Sequence, residues 1–445
     1  MSTMEQAHPH QLWPRAGAVL AAAALAVAMT VSSAVTTAAA DSVTTTIPVG
    51  SQPDAVAVTP DGKQAYIVAS ESVSVVDTAT NTVAMTITTG SGPSGVAIAR
   101  NGKYAYVTNY HGNSVSVIDT ATNAVTETIT LPTDTQPFGV AVTPNGKYAY
   151  VTNQANNTVL AIDTATRTVT HTITVGESPY GIAITSDGKY AYVTNNIDNS
   201  VSVIDTGTNT VTKTIAVGKL PAGVAITPDG LYAYVTNYEG RSVSVITIAT
   251  NTRARTISVD SAPRAVAITP DGRRAYIPNS TLDGTVTVVD TATNTVTGTI
   301  PVGTAPTGVA ITPDGRYMYV TNNRGSSVSV IAIDQAPTLS GTPSSGVLNQ
   351  DYNYAFGVTG HPAPAVKITS GVLPDGLGLS EAGVLSGSPT KSGRFVFTVT
   401  ASNGFGTDAR LPVVVNIADG TMTTPPTTDP SPPSVGGGSL GSFGS

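Results

Sequence analysis

The sequence predicts an all-β fold, in which a seven-bladed β-propeller closed by an N-terminal strand precedes a small β-sandwich and a disordered tail. A segment close to T-P-D-G-K-Y-A-Y-V-T-N occurs seven times, and its glycine falls at residues 62, 102, 146, 188, 230, 272 and 315. The separations of 40 to 44 residues match the length of one four-stranded propeller blade. The repeat stops near residue 335, where another strand-rich segment begins. We therefore assign residues 41–335 to the propeller, 336–418 to the sandwich and 419–445 to the tail.

Each repeat reads as four strands, and residues 176–218 show the pattern. Alternating apolar side chains predict strands at 180–185, 190–195, 200–205 and 210–217. An Asp-Gly or Asn-Gly pair predicts a tight turn between the first two strands, because glycine readily adopts a positive φ. The segment D-T-A-T-N, or a close variant, joins the last two strands and offers side chains that hydrogen-bond their own backbone.

The second aromatic residue of each hairpin is predicted to pack between blades. It is a tyrosine in all seven copies, namely Tyr66, Tyr106, Tyr150, Tyr192, Tyr234, Tyr276 and Tyr319. A side chain repeated at blade spacing serves a shared structural task. We therefore expect these tyrosines in the core and not on a stacking surface for bases or sugars.

The ends of the repeat array predict how the ring closes. The last repeat lacks a fourth strand, whereas residues 42–50 match a fourth strand and have no blade of their own. Seven complete blades result if this segment pairs with the third strand of the last repeat, at 327–332. Such a closure leaves no unpaired strand edge in the ring.

Residues 1–40 have the composition of an export signal. Arg15 precedes an apolar run at 16–31, and the small residues Ala38 and Ala40 follow it. The run is shorter than the ~20 residues that span a membrane. We expect cleavage after Ala40, and an uncleaved anchor is the alternative. The mature chain is then secreted or associated with the cell envelope, and it has no transmembrane segment.

Composition narrows the choice of partner. The chain has 445 residues, a formal net charge of −7 and only 11% charged residues, with Lys and Arg scattered singly. A nucleic-acid backbone would require a basic stripe, so nucleic acid is disfavoured as a partner. The chain contains no cysteine, so packing alone must stabilise the exported fold, which we expect to be monomeric.

Two segments carry family resemblances. The strings K-Y-A-Y-V-T-N and S-V-S-V-I-D-T-A-T-N-T-V, within residues 42–334, resemble the YVTN-type β-propeller repeat of bacterial surface-layer and YncE-like proteins. This resemblance implies an exported binding or surface protein. Bacterial lactonases form a neighbouring propeller family, and YncE-like proteins have been associated with single-stranded DNA. Residues 336–418, with L-P-D-G-L, G-V-L-S-G and F-V-F-T-V-T-A-S-N, resemble the immunoglobulin-like (He_PIG-type) module of bacterial surface proteins.

The tail contains G-G-S-L-G at 437–441, which matches the nucleophile motif of α/β-hydrolases. That motif requires a strand-to-helix turn. A tail rich in Pro, Thr, Ser and Gly predicts no such turn, so we interpret the match as chance.

The two faces of the predicted ring differ in sequence. One, the uniform face, carries the nearly identical T-P-D-G and D-T-A-T-N turns; the other, the variable face, carries the second-to-third and fourth-to-first connections. Differences among otherwise equal copies are where an asymmetric ligand is recognised, and unconstrained loop drift is the alternative interpretation. The candidate ligand-binding residues on the variable face are Phe138, Tyr180, Arg264, Tyr110, His111, Tyr238, Glu239, Arg241 and Arg324.

The sequence offers little for catalysis. Aspartates end five third strands, one per blade, and their positions predict turn capping and not a shared calcium site: Asp77, Asp119, Asp163, Asp205 and Asp290. After signal cleavage the histidines are His111, His171 and His361, and neither a metal-ligand cluster nor a Ser-His-Asp set can be assembled around them. We expect no catalytic residues, no metal and no cofactor.

The sequence as a whole favours an exported, adhesion-type binding or scaffold protein whose ligand is a protein or a cell-envelope carbohydrate. Two alternatives stay open. One is a lactonase-like hydrolase acting at the mouth of the propeller channel. The other is a protein that binds single-stranded nucleic acid.

Overall fold

The computed structural model describes residues 41–259 and 261–420, and every helix-or-strand element in these ranges is a β-strand. The predicted signal peptide (1–40) lies outside the described residues. So does the predicted tail from residue 421 onward, with its G-G-S-L-G motif. In the described ranges, no helix has the length and apolar character needed to cross a membrane.

The repeats form seven four-stranded antiparallel sheets within the described ranges, as the sequence predicts. The first strand of the chain is β1 (Ser42–Pro48). The first three blades are β2 (Ala55–Val58), β3 (Gln64–Val68), β4 (Ser72–Asp77) and β5 (Thr82–Thr88); β6 (Pro93–Ile98), β7 (Tyr104–Asn109), β8 (Ser114–Asp119) and β9 (Ala124–Thr130); and β10 (Pro137–Val142), β11 (Tyr148–Asn153), β12 (Thr158–Asp163) and β13 (Thr168–Thr174).

The remaining blades follow the same order, and the seventh ends after three strands. They are β14 (Pro179–Ile184), β15 (Tyr190–Asn195), β16 (Ser200–Asp205) and β17 (Thr210–Ala216); β18 (Pro221–Ile226), β19 (Tyr232–Asn237), β20 (Ser242–Thr247) and β21 (Thr252–Ser258); β22 (Ala267–Ile268), β23 (Arg274–Asn279), β24 (Thr285–Asp290) and β25 (Thr295–Pro301); and β26 (Pro306–Ile311), β27 (Tyr317–Asn322) and β28 (Ser327–Ala332).

The N-terminal strand completes the seventh blade. Strand β1 pairs antiparallel with β28, and Ile47 lies opposite Val328 in the register. Ile47 is buried in one cluster with Tyr319 of the seventh blade and Ile67 of the first. The predicted closure is therefore confirmed, and β1 seals both a sheet and an interblade core.

Tyrosines fill the spaces between blades, as predicted. Tyr66, Tyr150 and Tyr192 are among the side chains with no solvent exposure. Each apolar cluster combines neighbouring blades: Tyr66 packs with Val107, and Tyr192 with Val235. The core is thus distributed around the ring, one layer per blade interface.

The turns of the uniform face have the predicted geometry. In the first blade, Gly62 has a φ of 73° and its N–H donates to the Thr59 carbonyl at 2.8 Å. The Thr59 hydroxyl donates to Asp61 Oδ1 at 2.6 Å. In the third-to-fourth turn, Asp77 Oδ1 accepts from the backbone N–H groups of Ala79 and Thr80 at 3.0 and 2.8 Å. The third-strand aspartate is a turn cap, as the sequence predicts.

The C-terminal segment forms a two-layer arrangement of short sheets. Its strands are β29 (Gln335–Ser340), β30 (Gly346–Val347), β31 (Tyr352–Ala355), β32 (Gly357–His361), β33 (Ala365–Gly371), β34 (Leu377–Leu379), β35 (Val384–Gly387), β36 (Gly393–Ser402) and β37 (Ala409–Ala418). The sheet β30-β37-β36-β33 and the sheet β31-β35-β34 enclose a core that includes Leu385, Phe397 and Val415. This is the small immunoglobulin-like sandwich that the sequence predicts.

Candidate functional site

Backbone hydrogen bonds place the repeat connections on two opposite faces. The Thr78 N–H donates to the Lys63 carbonyl at 3.0 Å, which joins a third-to-fourth turn to a first-to-second turn. The Tyr110 N–H donates to the Gly92 carbonyl at 2.7 Å, which joins a second-to-third loop to a fourth-to-first connection. The variable connections therefore share one face, and any asymmetric surface is built there.

A cavity of about 750 Å³ lies on the variable face. A narrower space of about 200 Å³ lies between the innermost strands. Both volumes are lined by Asp54, Ser94, Arg264 and Thr307. These shared residues place the wide cavity at the mouth of the central channel.

The mouth is formed by one residue from each blade, the residue that follows the proline of the fourth-to-first connection. We call this set the mouth ring: Asp54, Ser94, Phe138, Tyr180, Ala222, Arg264 and Thr307. A repeated backbone thus places one acid, one base, two aromatic rings and two hydroxyl groups along the cavity and the channel space, whereas Ala222 is buried and lines neither. Such a ring has no rotational symmetry and can orient a bound molecule.

The innermost strands approach so closely that most of them need glycine. A Cβ on Gly139 would lie 2.4 Å from the Tyr180 carbonyl oxygen, and one on Gly181 would lie 2.4 Å from that of Ala222. Two blades carry alanine at this position, Ala55 and Ala265. Their innermost strands are the shortest of the propeller: four residues in β2 and two in β22, against six in each of the other blades.

These two short strands follow the two charged residues of the mouth ring. Ala55 comes directly after Asp54, and Ala265 directly after Arg264. The Gly223 N–H donates to the Arg264 carbonyl at 2.9 Å, and the Arg264 N–H donates to the Pro278 carbonyl of its own blade at 3.1 Å, so Arg264 is bonded to both the fifth and the sixth blade. The charged groups of the mouth therefore precede the two shortest innermost strands of the propeller.

Arg264 is at the centre of the polar contacts. Its Nη2 donates to the Tyr180 hydroxyl at 2.7 Å, and its guanidinium carbon lies 5.8 and 5.9 Å from the ring centres of Tyr180 and Tyr238. Burial lowers the pKa of Arg264, but the Tyr180 hydroxyl and the Asp54 carboxyl outweigh burial and raise it above its usual value. The guanidinium is therefore a permanent positive charge inside the mouth.

Asp54 is the acidic counterpart of Arg264. Burial raises the pKa of the Asp54 carboxyl, against the opposing effects of the Arg264 charge and a hydrogen bond from Thr307. Asp54 is partly buried and lines both the wide cavity and the channel space. No ion pair within 4.0 Å joins Asp54 to Arg264 in the described part of the chain.

An aromatic wall lies beside Arg264. The Phe138 and Tyr180 rings are 4.0 Å apart between centroids with 37° between their planes. Tyr110 meets Phe138 edge-on at 6.4 Å, and the Tyr110 hydroxyl donates to Gln136 Oε1 at 3.1 Å. Burial raises the pKa of Tyr180, so this hydroxyl stays protonated at neutral pH.

The structure gathers seven of the nine predicted residues around the mouth. They line the two volumes and are Phe138, Tyr180, Arg264, Tyr110, His111, Tyr238 and Arg324. Glu239 and Arg241 are exposed on the same face and line neither volume.

Sequence reasoning missed Asp54 as a site residue, although it stands at the same blade position as Phe138, Tyr180 and Arg264. The sequence signal that could have identified Asp54 is its position after the proline of the fourth-to-first connection, which Phe138, Tyr180 and Arg264 share. Ser94 and Thr307 share the position, and their hydroxyls donate to the carbonyls of Pro137 and Pro53, both at 3.1 Å. These two hydroxyls connect adjacent blades and make the mouth rigid.

The described residues contain no group of three or more His, Cys, Asp or Glu side chains placed to hold one metal ion. What the arrangement offers instead is a fixed cation, a carboxyl of raised pKa and stacked aromatic rings. Such a set suits the binding of a polar molecule with one charged group.

Fold and site together define a seven-bladed β-propeller with an attached immunoglobulin-like domain. Three family models match parts of the chain: "Choice-of-anchor I domain" over residues 27–180, "Lactonase, 7-bladed beta-propeller" over 249–345 and "Putative Ig domain" over 320–418. No curated protein matches the chain.

Among solved structures, the chain is similar to one chain of the structure "Kuenenia stuttgartiensis Hydrazine Synthase". The two are 24% identical with a TM-score of 0.58, and the match covers 63% of this chain and 95% of the other. This likeness supports the propeller fold.

Proposed function

We propose that this protein is an exported binding module of the YVTN, YncE-like type, which acts at the cell surface or after secretion. The ligand is bound by the variable face, at the mouth ring. One observation carries the proposal: a repeated scaffold places a different side chain at the same position of each blade, and Asp54, Ser94, Arg264 and Thr307 of this set line one cavity, while the opposite face repeats the same turns. A binding or scaffold role is what the propeller and the immunoglobulin-like domain together favour.

The partner is a cell-envelope carbohydrate or a protein, and the chain acts as a monomer with no cofactor. The cavity volume of about 750 Å³ lies in the range of small-ligand sites, so one or a few units of a polymer fit in it. The immunoglobulin-like domain then serves as a spacer or a second contact with the envelope.

Retention of envelope material by the immobilised protein tests this proposal. The wild-type mature chain is compared with a Phe138→Ser/Arg324→Ala double variant on the variable face. An Arg273→Ala variant is the matched control, because Arg273 is exposed on a turn of the uniform face. We expect the double variant to lose retention and the control to keep it. Equal retention by all three proteins would overturn the proposal.

A lactonase-like hydrolase is the second candidate, and the family-model match over residues 249–345 favours it. Asp54 is then the group to act as a general base, because it faces the channel and its pKa is raised. Turnover of a lactone panel by the wild-type chain, lost in Asp54→Asn, would establish this activity. If no lactone of the panel is hydrolysed, either with or without added divalent cations, the lactonase function is excluded.

Single-stranded nucleic-acid binding is the least supported candidate. It requires a positive groove and an affinity that falls steeply with salt. A titration of labelled single strands at two salt concentrations tests it directly.

A further inference from the structure

The chemistry of the mouth indicates the class of ligand. Arg264 has five N–H donors, and the Tyr180 hydroxyl is the one hydrogen-bond acceptor that its side chain contacts among the described residues. The guanidinium lines both the wide cavity and the channel space. A half-buried cation with unused donors aimed into a cavity is a receptor for an oxyanion, because a planar guanidinium binds a carboxylate with two parallel hydrogen bonds.

A second cation stands at the rim of the same cavity. Arg324 lines the wide volume, is exposed, and belongs to no ion pair within 4.0 Å in the described ranges. It adds to the positive potential that a negatively charged ligand meets on its way to Arg264. The mouth thus has a partly buried cation, Arg264, and an exposed one at its rim, Arg324. Two such cations favour an elongated ligand with repeated negative charges.

The aromatic wall supplies a surface for a ring. Phe138 contacts both Tyr180 and Tyr110, and the Arg264 guanidinium lies against the Tyr180 ring. Phe138 and Tyr180 line the channel space, and Tyr110 lines the wide cavity. An aromatic face packs against the C–H face of a sugar ring or against another aromatic ring. A ligand that contacts both the aromatic wall and Arg264 therefore contains a ring that carries an acid group.

The lining of the wide cavity, which shares Arg264 with the channel space, distinguishes a sugar from an aromatic acid. Side chains with hydroxyl or amide groups surround the wide cavity, and they include Gln52, Ser70, Ser280, Thr281 and Asn323. A flat apolar acid would leave these groups without partners, at a cost in free energy for each polar group removed from water. A polyhydroxylated ring offers them hydrogen bonds.

We propose that the mouth ring binds a carboxylated sugar unit, with the carboxylate on Arg264 and the ring against Phe138 and Tyr180. This inference rests on the binding function proposed above and names the ligand class for the same site. Asp54 faces the same space and disfavours a second negative charge when it is ionised. No ion pair within 4.0 Å joins Asp54 to Arg264 in the described ranges, so the carboxylate of the ligand does not have to replace one.

The decisive comparison uses wild-type protein and two probes that differ only at their carboxyl groups. Isothermal titration calorimetry measures binding of trigalacturonate and of its fully methyl-esterified form. The ester keeps every ring and ring hydroxyl and removes the negative charges. We expect the acid to bind at least about tenfold more tightly, the usual contribution of a hydrogen-bonded charge. Equal affinity for acid and ester would overturn the proposal without requiring any variant.

Three variants locate the contact. Arg264→Gln should abolish the preference for the acid, Arg264→Lys should keep part of it, and Arg273→Gln on the uniform face should leave it unchanged. The melting temperature of each variant establishes that it is folded. A folded Arg264→Gln protein that still prefers the acid tenfold would overturn the assignment of Arg264.

Two further outcomes separate this inference from the proposed function. If benzoate binds as tightly as monomeric galacturonate, the site recognises a carboxylate but not a sugar, and this result would overturn the assignment of a sugar ligand. Envelope retention that depends on the variable face, combined with no preference for acid over ester, would overturn the carboxylated sugar while the binding function stands. Retention that is indifferent to the variable face would instead remove the binding function.

Discussion

The Tyr276 hydroxyl donates to Asp41 Oδ2 at 2.5 Å, and this contact occupies the place of an interblade bond that recurs around the ring. In five of the other six blades the core tyrosine donates to the asparagine that precedes the fourth strand of the next blade; the exception is Tyr106, because Arg167 stands at the asparagine position. These pairs are Tyr66–Asn123, Tyr150–Asn209, Tyr192–Asn251, Tyr234–Asn294 and Tyr319–Asn81. The seventh blade takes its fourth strand from the N-terminus, so Asp41, the residue before β1, fills the asparagine position.

Asp41 makes more contacts than the asparagines that it replaces. Arg274 Nη1 donates to its two carboxylate oxygens at 3.0 and 2.9 Å, and the Asp334 N–H donates to Oδ1 at 2.9 Å. The Asp41 side chain is only 7% exposed. One buried carboxylate thus joins the start of the propeller chain, its sixth blade and the residue that leads into the sandwich.

Asp41→Ala is expected to lower the free energy of unfolding by about 3–5 kcal/mol, because it leaves the Arg274 guanidinium buried without its partner. Asp41→Asn also removes the negative charge, but it keeps an oxygen acceptor for Tyr276 and Arg274, so it should cost less than Asp41→Ala. Urea unfolding measures both, and Ser42→Ala on the adjacent exposed residue is the control. Equal losses for Ala and Asn would show that the acceptor is not what matters.

Gly139→Ala is expected to destabilise the propeller by about 1–3 kcal/mol, since the added methyl group overpacks the channel wall. Its Cβ would lie 2.4 Å from a backbone oxygen of the next blade. Gly298→Ala is the matched control, because a Cβ on Gly298 in β25 has no neighbour within 4 Å. The control should be stabilised by about 0.5–1 kcal/mol. Thermal unfolding of both variants measures these changes in stability. A Gly139→Ala protein as stable as wild type would contradict the close approach of the innermost strands.

Asp54→Asn is expected to raise the melting temperature at pH 7. A carboxyl whose pKa is raised on folding stabilises the protein below its unfolded value, near 3.8, and that contribution is lost as the pH rises through the folded value. The amide removes the cost of an ionised group in the channel. At pH 3 both proteins are neutral at this position, so their melting temperatures should converge. A variant that melts lower than wild type at pH 7 would contradict this expectation.

The capping aspartates predict the opposite response to acid. Hydrogen bonds from Thr80, Thr166 and Thr293 lower the pKa values of the Asp77, Asp163 and Asp290 carboxyls respectively. A lowered pKa stabilises the fold above the unfolded value and that stability is lost as the pH falls through the folded one.

Replacing these three aspartates by asparagine should therefore flatten the acid dependence of stability. The amide keeps an oxygen for the turn but does not titrate. The urea midpoint of the wild type should fall more than that of the triple variant between pH 5 and pH 2. Parallel decreases would contradict a stabilising role for the ionised caps.

The blade count, the strand order and the ring closure were all predictable, because each depends on patterns that recur along the chain. The strands predicted for the fourth blade agree with β14 to β17 within one residue at each end. Period-two alternation and the Asp-Gly turns act locally, so their signals survive in a single sequence. The buried tyrosines followed from the same repetition.

The contacts within the mouth were not predictable to the same degree. Arg264 pairs with Tyr180, two blades away and 84 residues apart, and no local pattern marks that pair. Phe138 and Tyr180 were both candidates, but their stacking depends on the curvature of the channel. Asp54 occupies the same repeated position but was not among the candidate residues, because a lone acid in a loop has no special signature until the ring brings it beside the others.

The sequence by itself determined the architecture, because a repeated hairpin can bury its apolar faces only against copies of itself, and the spare strand at residues 42–50 has a partner only in the last blade. The tertiary structure decided which side chains meet. Ring closure brings residues from seven separate connections to one axis, and the charge, burial and spacing of that group arise only from the assembled ring.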